Sequence, residues 1–336
     1  MLYDELIKNL ISQAYPAGKD VFFCGVPSDI RTAFDDGIKT LFLLPGAFFF
    51  PGEDDFSDVK CAPVAFDSLK CHHTVFADIR FMADEAFRRA LAEYGFARIA
   101  LLFPECADIA QYGYRQSYSW VGEYRAERKD FVQIAGFISP YYRNTESLGA
   151  YFGGQEAFIV GDDTEELKFS SFEAVSSSAK LYAAAASAEK YAFDRTVIYF
   201  NSRQEAGSFR GLLAARGTES LYFDGTLTKD ERHNTLTEFM LGDKNLLIAT
   251  KSYIPSSFFC PPDRVIFCGV PFSASHLYRA SCACTKHVPT VIYCEDDFVR
   301  NEKIISSFSD ALGNTEISEK RLQGLENIKN LLKSNQ

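Results

Sequence analysis

Short apolar runs alternate with amphipathic stretches along most of the chain. Residues 2–15 put Leu2, Leu6, Leu10 and Ile11 on one helical face, and the Pro16-Ala17-Gly18 step breaks that helix. VFFCGV (21–26) and TLFLLPG (40–46) read as buried strands. A helix is predicted over 78–94, stopped by Gly95, with ARIALLF (97–103) and VQIAGFIS (132–139) as the next strands. The pattern weakens from 140 to 195, through Gly153-Gly154 and the acidic stretch 161–166, until an Ala/Ser-rich helix at 175–191. The rhythm then resumes: TVIYF, a helix stopped by Gly217, SLYFDG, a helix stopped by Gly242, and the strands NLLIAT, RVIFCGV and TVIYC. Short apolar strands separated by helices imply parallel sheets covered on both faces. The expected division is a first domain over 1–160, a second over 161–300 and a helical tail over 301–336. The tail is free to pack on either domain, to dimerise or to bind a partner.

Composition narrows the class. The chain has 336 residues, enough for two ordinary α/β domains, and is 47% hydrophobic, which excludes wholesale disorder. Its formal charge of −10 opposes tight, non-specific binding to duplex phosphates and leaves room only for a local basic groove. The nine cysteines include no CxxC pair and most sit in apolar runs, where Cys acts as a small hydrophobe. Their odd number and irregular spacing, with no signal peptide, point to a reducing compartment, cytoplasmic or nucleoid-associated. No apolar run of 18 or more residues is present, so no membrane span is expected. Neither Cys71-His72-His73 nor the Cys282/Cys284 pair supplies enough ligands for a metal, and none is expected.

From 196 onward the residues carry a specific order. VIYFNSR (197–203) is followed by YFDGTL (222–227), Arg232, Phe239, IAT (248–250) and VPFSASHLY (270–278). This run of about ninety residues resembles the second motor domain of a superfamily 2 helicase, the RecQ group in particular. That group has IIYxxSR, a YHxGL-type turn, an R, an F and a VAT strand in the same order. The resemblance implies two tandem RecA-like domains, each a mostly parallel β-sheet flanked by helices, and so an α/β fold.

The chemistry expected of that family is missing. Its arginine-finger motif QxxGRxGR aligns with RASCACTK (279–286), so the two arginines become Ala283 and Lys286. An ammonium grips γ-phosphate oxygens poorly compared with a guanidinium fork, and alanine not at all. ECADIAQYGYRQSY (105–118) resembles the DEAH-like stretch, with Pro104 at the Mg²⁺-organising Asp and Glu105 at the water-activating Glu. The phosphate loop aligns with VPSDIRTAF (26–34), where Arg31 and Thr32 stand at the Lys-Ser/Thr step and every motif glycine is lost. Glu105, Arg31, Thr32 and Lys286 are therefore vestigial candidates, no catalytic residue is assigned, and no cofactor is expected.

Candidate nucleic-acid contacts survive better. The resemblance implies a single-strand-sensing stretch holding Tyr112, Tyr114, Arg115 and Trp120, whose rings either stack on unpaired bases or pack inside the protein. It also brings Ser202, Arg203, Thr250 and Lys251 to the nucleic-acid backbone. The zinc-binding and winged-helix modules that follow in RecQ proteins are not expected, because the last forty residues hold no Cys or His. The expected function is that of a catalytically inactive RecQ-like pseudohelicase. It would be a structural or regulatory subunit with protein partners in a DNA repair or recombination complex, with single-stranded nucleic acid as a further partner and no membrane. Two alternatives compete: a divergent ATP/Mg²⁺-dependent helicase or translocase, and a single-stranded nucleic-acid-binding module.

Overall fold

The structure is a computed structural model. It describes residues 3–25, 34–44, 69–70, 72–102, 104, 118–142, 148–149, 151–154, 157–160, 167–250, 261–271, 273–312 and 315–334. The chain divides into two compact units, Met1–Glu165 and Glu166–Gln336.

Unit 1 is built from α1 (Tyr3–Ala14), β1 (Asp20–Cys24), β2 (Thr40–Leu44), β3 (Thr74–Asp78), α2 (Glu85–Glu93), β4 (Arg98–Leu102), α3 (Ser119–Glu127), β5 (Gln133–Ile138) and β6 (Ala157–Val160). Its six strands are all parallel, in the order β3-β2-β4-β5-β1-β6. β1, β4 and β5 are near-continuous apolar runs because both faces of a parallel sheet are covered. The helix predicted over 78–94 begins instead at Glu85. Asp84 caps it, accepting from the Ala86 N–H at 2.8 Å, and a 3₁₀ turn (Ile79–Ala83) precedes it. Gly95, at φ +76°, ends the turn as expected.

A buried polar layer closes the amino ends of these strands. Arg98 opens β4 and is fully buried, with its guanidinium 3.0 and 2.7 Å from the Asp36 carboxylate and 2.6 Å from Gln133 Oε1. The Tyr15 and Phe34 rings flank it. Burial alone would raise the Asp36 pKa, but the hydrogen bonds and charge of Arg98 hold it below the ordinary value. Asp20, which opens β1, accepts from Arg125 of α3 at 2.6 Å and from the Ile134 N–H at 2.8 Å.

Unit 2 comprises β7 (Ser170–Glu173), α4 (Ser177–Lys190), β8 (Thr196–Phe200), α5 (Arg203–Ala215), β9 (Leu221–Phe223), α6 (Lys229–Leu241), β10 (Leu246–Thr250), β11 (Arg264–Cys268), α7 (Ala274–Ala283), β12 (Thr290–Tyr293), α8 (Glu295–Leu312) and α9 (Thr315–Ser334). Its sheet is also all parallel, in the order β7-β12-β11-β8-β10-β9. Fully buried β8 lies between β10 and β11. Ala184, Ala185 and Ala188 let α4 approach this sheet closely. Each of four helices starts on a hydroxyl cap: Ser176 for α4, Ser202 for α5, Thr228 for α6 and Ser273 for α7. Thr228 and Glu231 complete a capping box. The tail expected from 301 is part of this unit, since α8 already starts at Glu295 and α9 packs on it. Among the described residues no helix is long and apolar enough to cross a membrane.

Candidate functional site

Parallel α/β sheets bind ligands outside the carboxyl ends of their strands, where the crossovers diverge. In unit 2 that point lies between β8 and β11. β8 leads by α5 to β9 on one side, and β11 leads by α7 to β12 on the other. The residues that emerge there are Asn201, Ser202 and Arg203 after β8, and Gly269 and Val270 after β11.

The crevice is filled by the chain itself. Lys180, fully buried on α4, sets its ammonium 2.6 Å from Asp297 Oδ1 of α8 and 2.9 Å from Glu205 Oε1 of α5. Arg300 approaches the same Glu205 oxygen at 2.8 Å. Asn201 Nδ2 donates to the Val270 carbonyl at 2.8 Å and to Asn301 Oδ1 at 3.0 Å, while Asn301 Nδ2 donates to that carbonyl at 2.9 Å. The Cys294 N–H donates to Asp297 Oδ2 at 2.9 Å. Burial alone would lower the Lys180 pKa, but the Asp297 charge chiefly drives it above the ordinary lysine value. Two cations and two anions thus neutralise one another. Among the described residues no His, Cys, Asp and Glu cluster suits a metal ion.

The other half of the carboxyl edge, at β8, β10 and β9, carries Ser202, the exposed Arg203 and the buried Thr250. Ser202 Oγ accepts from the Glu205 N–H at 3.1 Å as the α5 cap, which leaves its own proton to donate. Arg203 is exposed on the first turn of α5, and Thr250 ends β10 directly opposite Phe200. Below them Asp224 accepts from Thr226 Oγ1 at 2.6 Å, the Thr226 N–H at 2.8 Å and the Tyr222 hydroxyl at 3.0 Å. Burial would raise the Asp224 pKa, but these donors, with the Arg203 charge, hold it below the usual range. The YFDGTL stretch is therefore a self-bonded turn that stays ionised and rigid beside Arg203.

The sequence-predicted residues separate into four groups. Ser202, Arg203 and Thr250 come together on this edge. Lys286 lies at the opposite, amino end of the same sheet, 3.1 Å from both Asp194 and Asp263. Trp120 sits in the first turn of α3, half-buried against the unit 1 core. Arg31, Thr32, Glu105, Tyr112, Tyr114, Arg115 and Lys251 lie outside the described residues. Pro104 is buried; a Cβ on Gly136 would come within 3.0 Å of its ring. It has no side-chain atom able to ligate a cation.

Sequence reasoning missed the Lys180–Glu205–Asp297–Arg300 network. One signal was available: Lys180 stands four and eight residues before Ala184 and Ala188, a lysine on the apolar stripe of α4.

No family model matches the sequence, and no curated protein matches it. Solved structures match its fold. The DEAD-box helicase Mss116 bound to ssRNA and UDP-BeF aligns at a TM-score of 0.64 and 13% identity, over 88% of this chain and 72% of that one. Helicase Lhr of Mycobacterium smegmatis, bound to ssDNA and AMP-PNP, aligns at 0.63 and 12% identity, over 89% of this chain and 47% of that one. The DUF1998 helicase MrfA bound to DNA and AMPPNP aligns at 0.59 and 12% identity, over 86% and 47%. The chain spans about half the length of the Lhr and MrfA chains. At these identities the likeness shows the fold alone, two tandem RecA-like α/β domains.

Proposed function

We propose that this chain is a catalytically inactive, RecQ-like helicase core acting as a structural or regulatory, nucleic-acid-associated subunit of a DNA-processing complex. The observation that carries the reading is Lys286. It stands where the resemblance expects an arginine finger, yet its ammonium is held by Asp194 and Asp263 at the amino edge of the sheet. A cation engaged there stabilises no phosphoryl transfer at the carboxyl edge. Ala283 ends α7 without a charge to offer.

The exposed Arg203 at the carboxyl edge supports the nucleic-acid part. The Arg203 guanidinium and the Ser202 hydroxyl are suited to phosphate oxygens, and neither reads base identity. Stacking on aromatic rings would favour single strands over duplex.

Two assays test the reading. ATP–Mg²⁺ at millimolar concentration is expected to leave the melting temperature unchanged, since a ligand that binds only the native state must raise it. Steady-state ATP turnover with and without oligonucleotide is expected to stay at background. Turnover at an ordinary enzymatic rate that is lost in Glu105→Gln would overturn the proposal in favour of a divergent ATP-dependent helicase.

A further inference from the structure

The amino edge of unit 2 carries a recess of about 500 Å³ with an uneven lining. Part of its lining is apolar, from Ala188, Ala192 and Leu246. Five carboxylates face it, on Glu189, Asp194, Glu219, Glu238 and Asp243, against one lysine, Lys244. Three of the five are engaged within the chain: Glu189 with Arg216 at 2.7 Å, Glu219 with Lys244 at 3.4 Å and Asp194 with Lys286 at 3.1 Å. Glu238 and Asp243 have no ion pair among the described residues.

Two large apolar side chains stand in solvent next to these lining residues. Phe193, between Ala192 and Asp194, is 95% exposed, and Leu241, two residues before Asp243, is 71% exposed. Single exposed apolar residues are ordinary, but two beside an acid-lined recess with a partly apolar lining form a patch of mixed character. Buried apolar anchors inside a charged rim are the usual anatomy of a protein interface.

We propose that this recess docks a basic amphipathic segment of a protein partner, one apolar side chain entering beside Phe193 and Leu241 while flanking Lys or Arg residues pair with Glu238 and Asp243. The carboxylates repel phosphate, so nucleic acid does not fit here. A second copy fits poorly too, because a two-fold contact would bring the same acidic faces together. The site lies at the end of the sheet opposite Ser202 and Arg203, so it does not depend on nucleic-acid binding there.

Fluorescence anisotropy with a labelled amphipathic helical peptide of lysine and leucine, about 14 residues long, tests this. A lysine–serine peptide of equal charge and a glutamate–leucine peptide serve as comparisons. The full chain is expected to bind the lysine–leucine peptide best. Glu238→Gln/Asp243→Asn and Phe193→Ser/Leu241→Ser should each weaken it roughly tenfold, with Glu302→Gln/Glu326→Gln on the α8–α9 pair unchanged. Circular dichroism checks that each variant is folded, and the two double variants act through different chemistry, so either alone suffices. Equal binding by every variant overturns the proposal, as does equal binding of the lysine–serine peptide. Self-association in sedimentation that Phe193→Ser/Leu241→Ser abolishes also overturns it, by making a second copy the occupant.

Discussion

Lys180 shows how one side chain can hold a crevice closed. Its ammonium is shut off from bulk solvent and relies on Asp297 and Glu205, supplied by two different helices. Removing one member of such a set strands the remaining charges in a poor solvent, at a cost of about 3–5 kcal/mol. Lys180→Met is therefore expected to lower the unfolding free energy of unit 2 by that amount, read as a lower denaturant midpoint by circular dichroism. Lys180→Met/Asp297→Leu should recover part of the loss, because it removes both charges together. An unchanged midpoint in the single variant would show that Arg300 alone suffices for both carboxylates. The pH dependence has a definite sign. Because the folded Lys180 pKa lies above the ordinary value, the contribution of its ammonium is complete below about pH 10.4 and fades only as pH rises through the folded pKa. Titration of Lys180 therefore leaves stability flat through neutral pH.

At the scale of elements, Ser202 has two separable roles. As the cap of α5 it satisfies the Glu205 N–H, and its hydroxyl proton remains directed by whatever acceptor approaches. Aspartate caps helices as well as serine does but places a negative charge where phosphate would come. Ser202→Asp should keep the melting temperature within a degree or two, whereas Ser202→Ala should cost about 1 kcal/mol. Only the aspartate is expected to abolish oligonucleotide binding in an anisotropy titration; binding that survives it would remove Ser202 from the contact surface.

Most strands were legible because their apolar runs are long, and the two helices between β8 and β10 because Gly217 and Gly242 stop them. Five elements were not foreseen. α7 lies in the stretch read only for its resemblance to the family's last motifs. β3 (Thr74–Asp78) lies just before the predicted helix, which took its final Asp78. β7 is short and mostly exposed, so its SSFE sequence carries no apolar run. β6 fell in the weakly patterned stretch, and α3 has little amphipathic character.

For the molecule as a whole, net charge decides how nucleic acid would be held. At −10 the chain repels a polyanion over a distance, so binding must come from a few close contacts. A single strand releases about 0.7 counterions per neutralised phosphate. With Arg203 as an exposed cation on the described edge, the slope of log K against log salt is expected to be shallow, about −0.7 for that one contact. A slope near −5 would mean a long basic track elsewhere on the surface and a different binding mode.

The order of most strands and helices followed from local pattern, because period and propensity act within a few residues. The tandem RecA-like fold was implied by the resemblance of residues 197–278 to a known motor domain. What no local pattern could decide was which distant side chains meet. Lys180, Glu205 and Asp297 converge only because the sheet order brings β8, β11 and β12 side by side, and Lys286 meets Asp194 only because α7 returns its chain to the amino edge. Long-range ion pairs cost entropy to assemble, and the packed sheet supplies the proximity that the sequence alone does not encode.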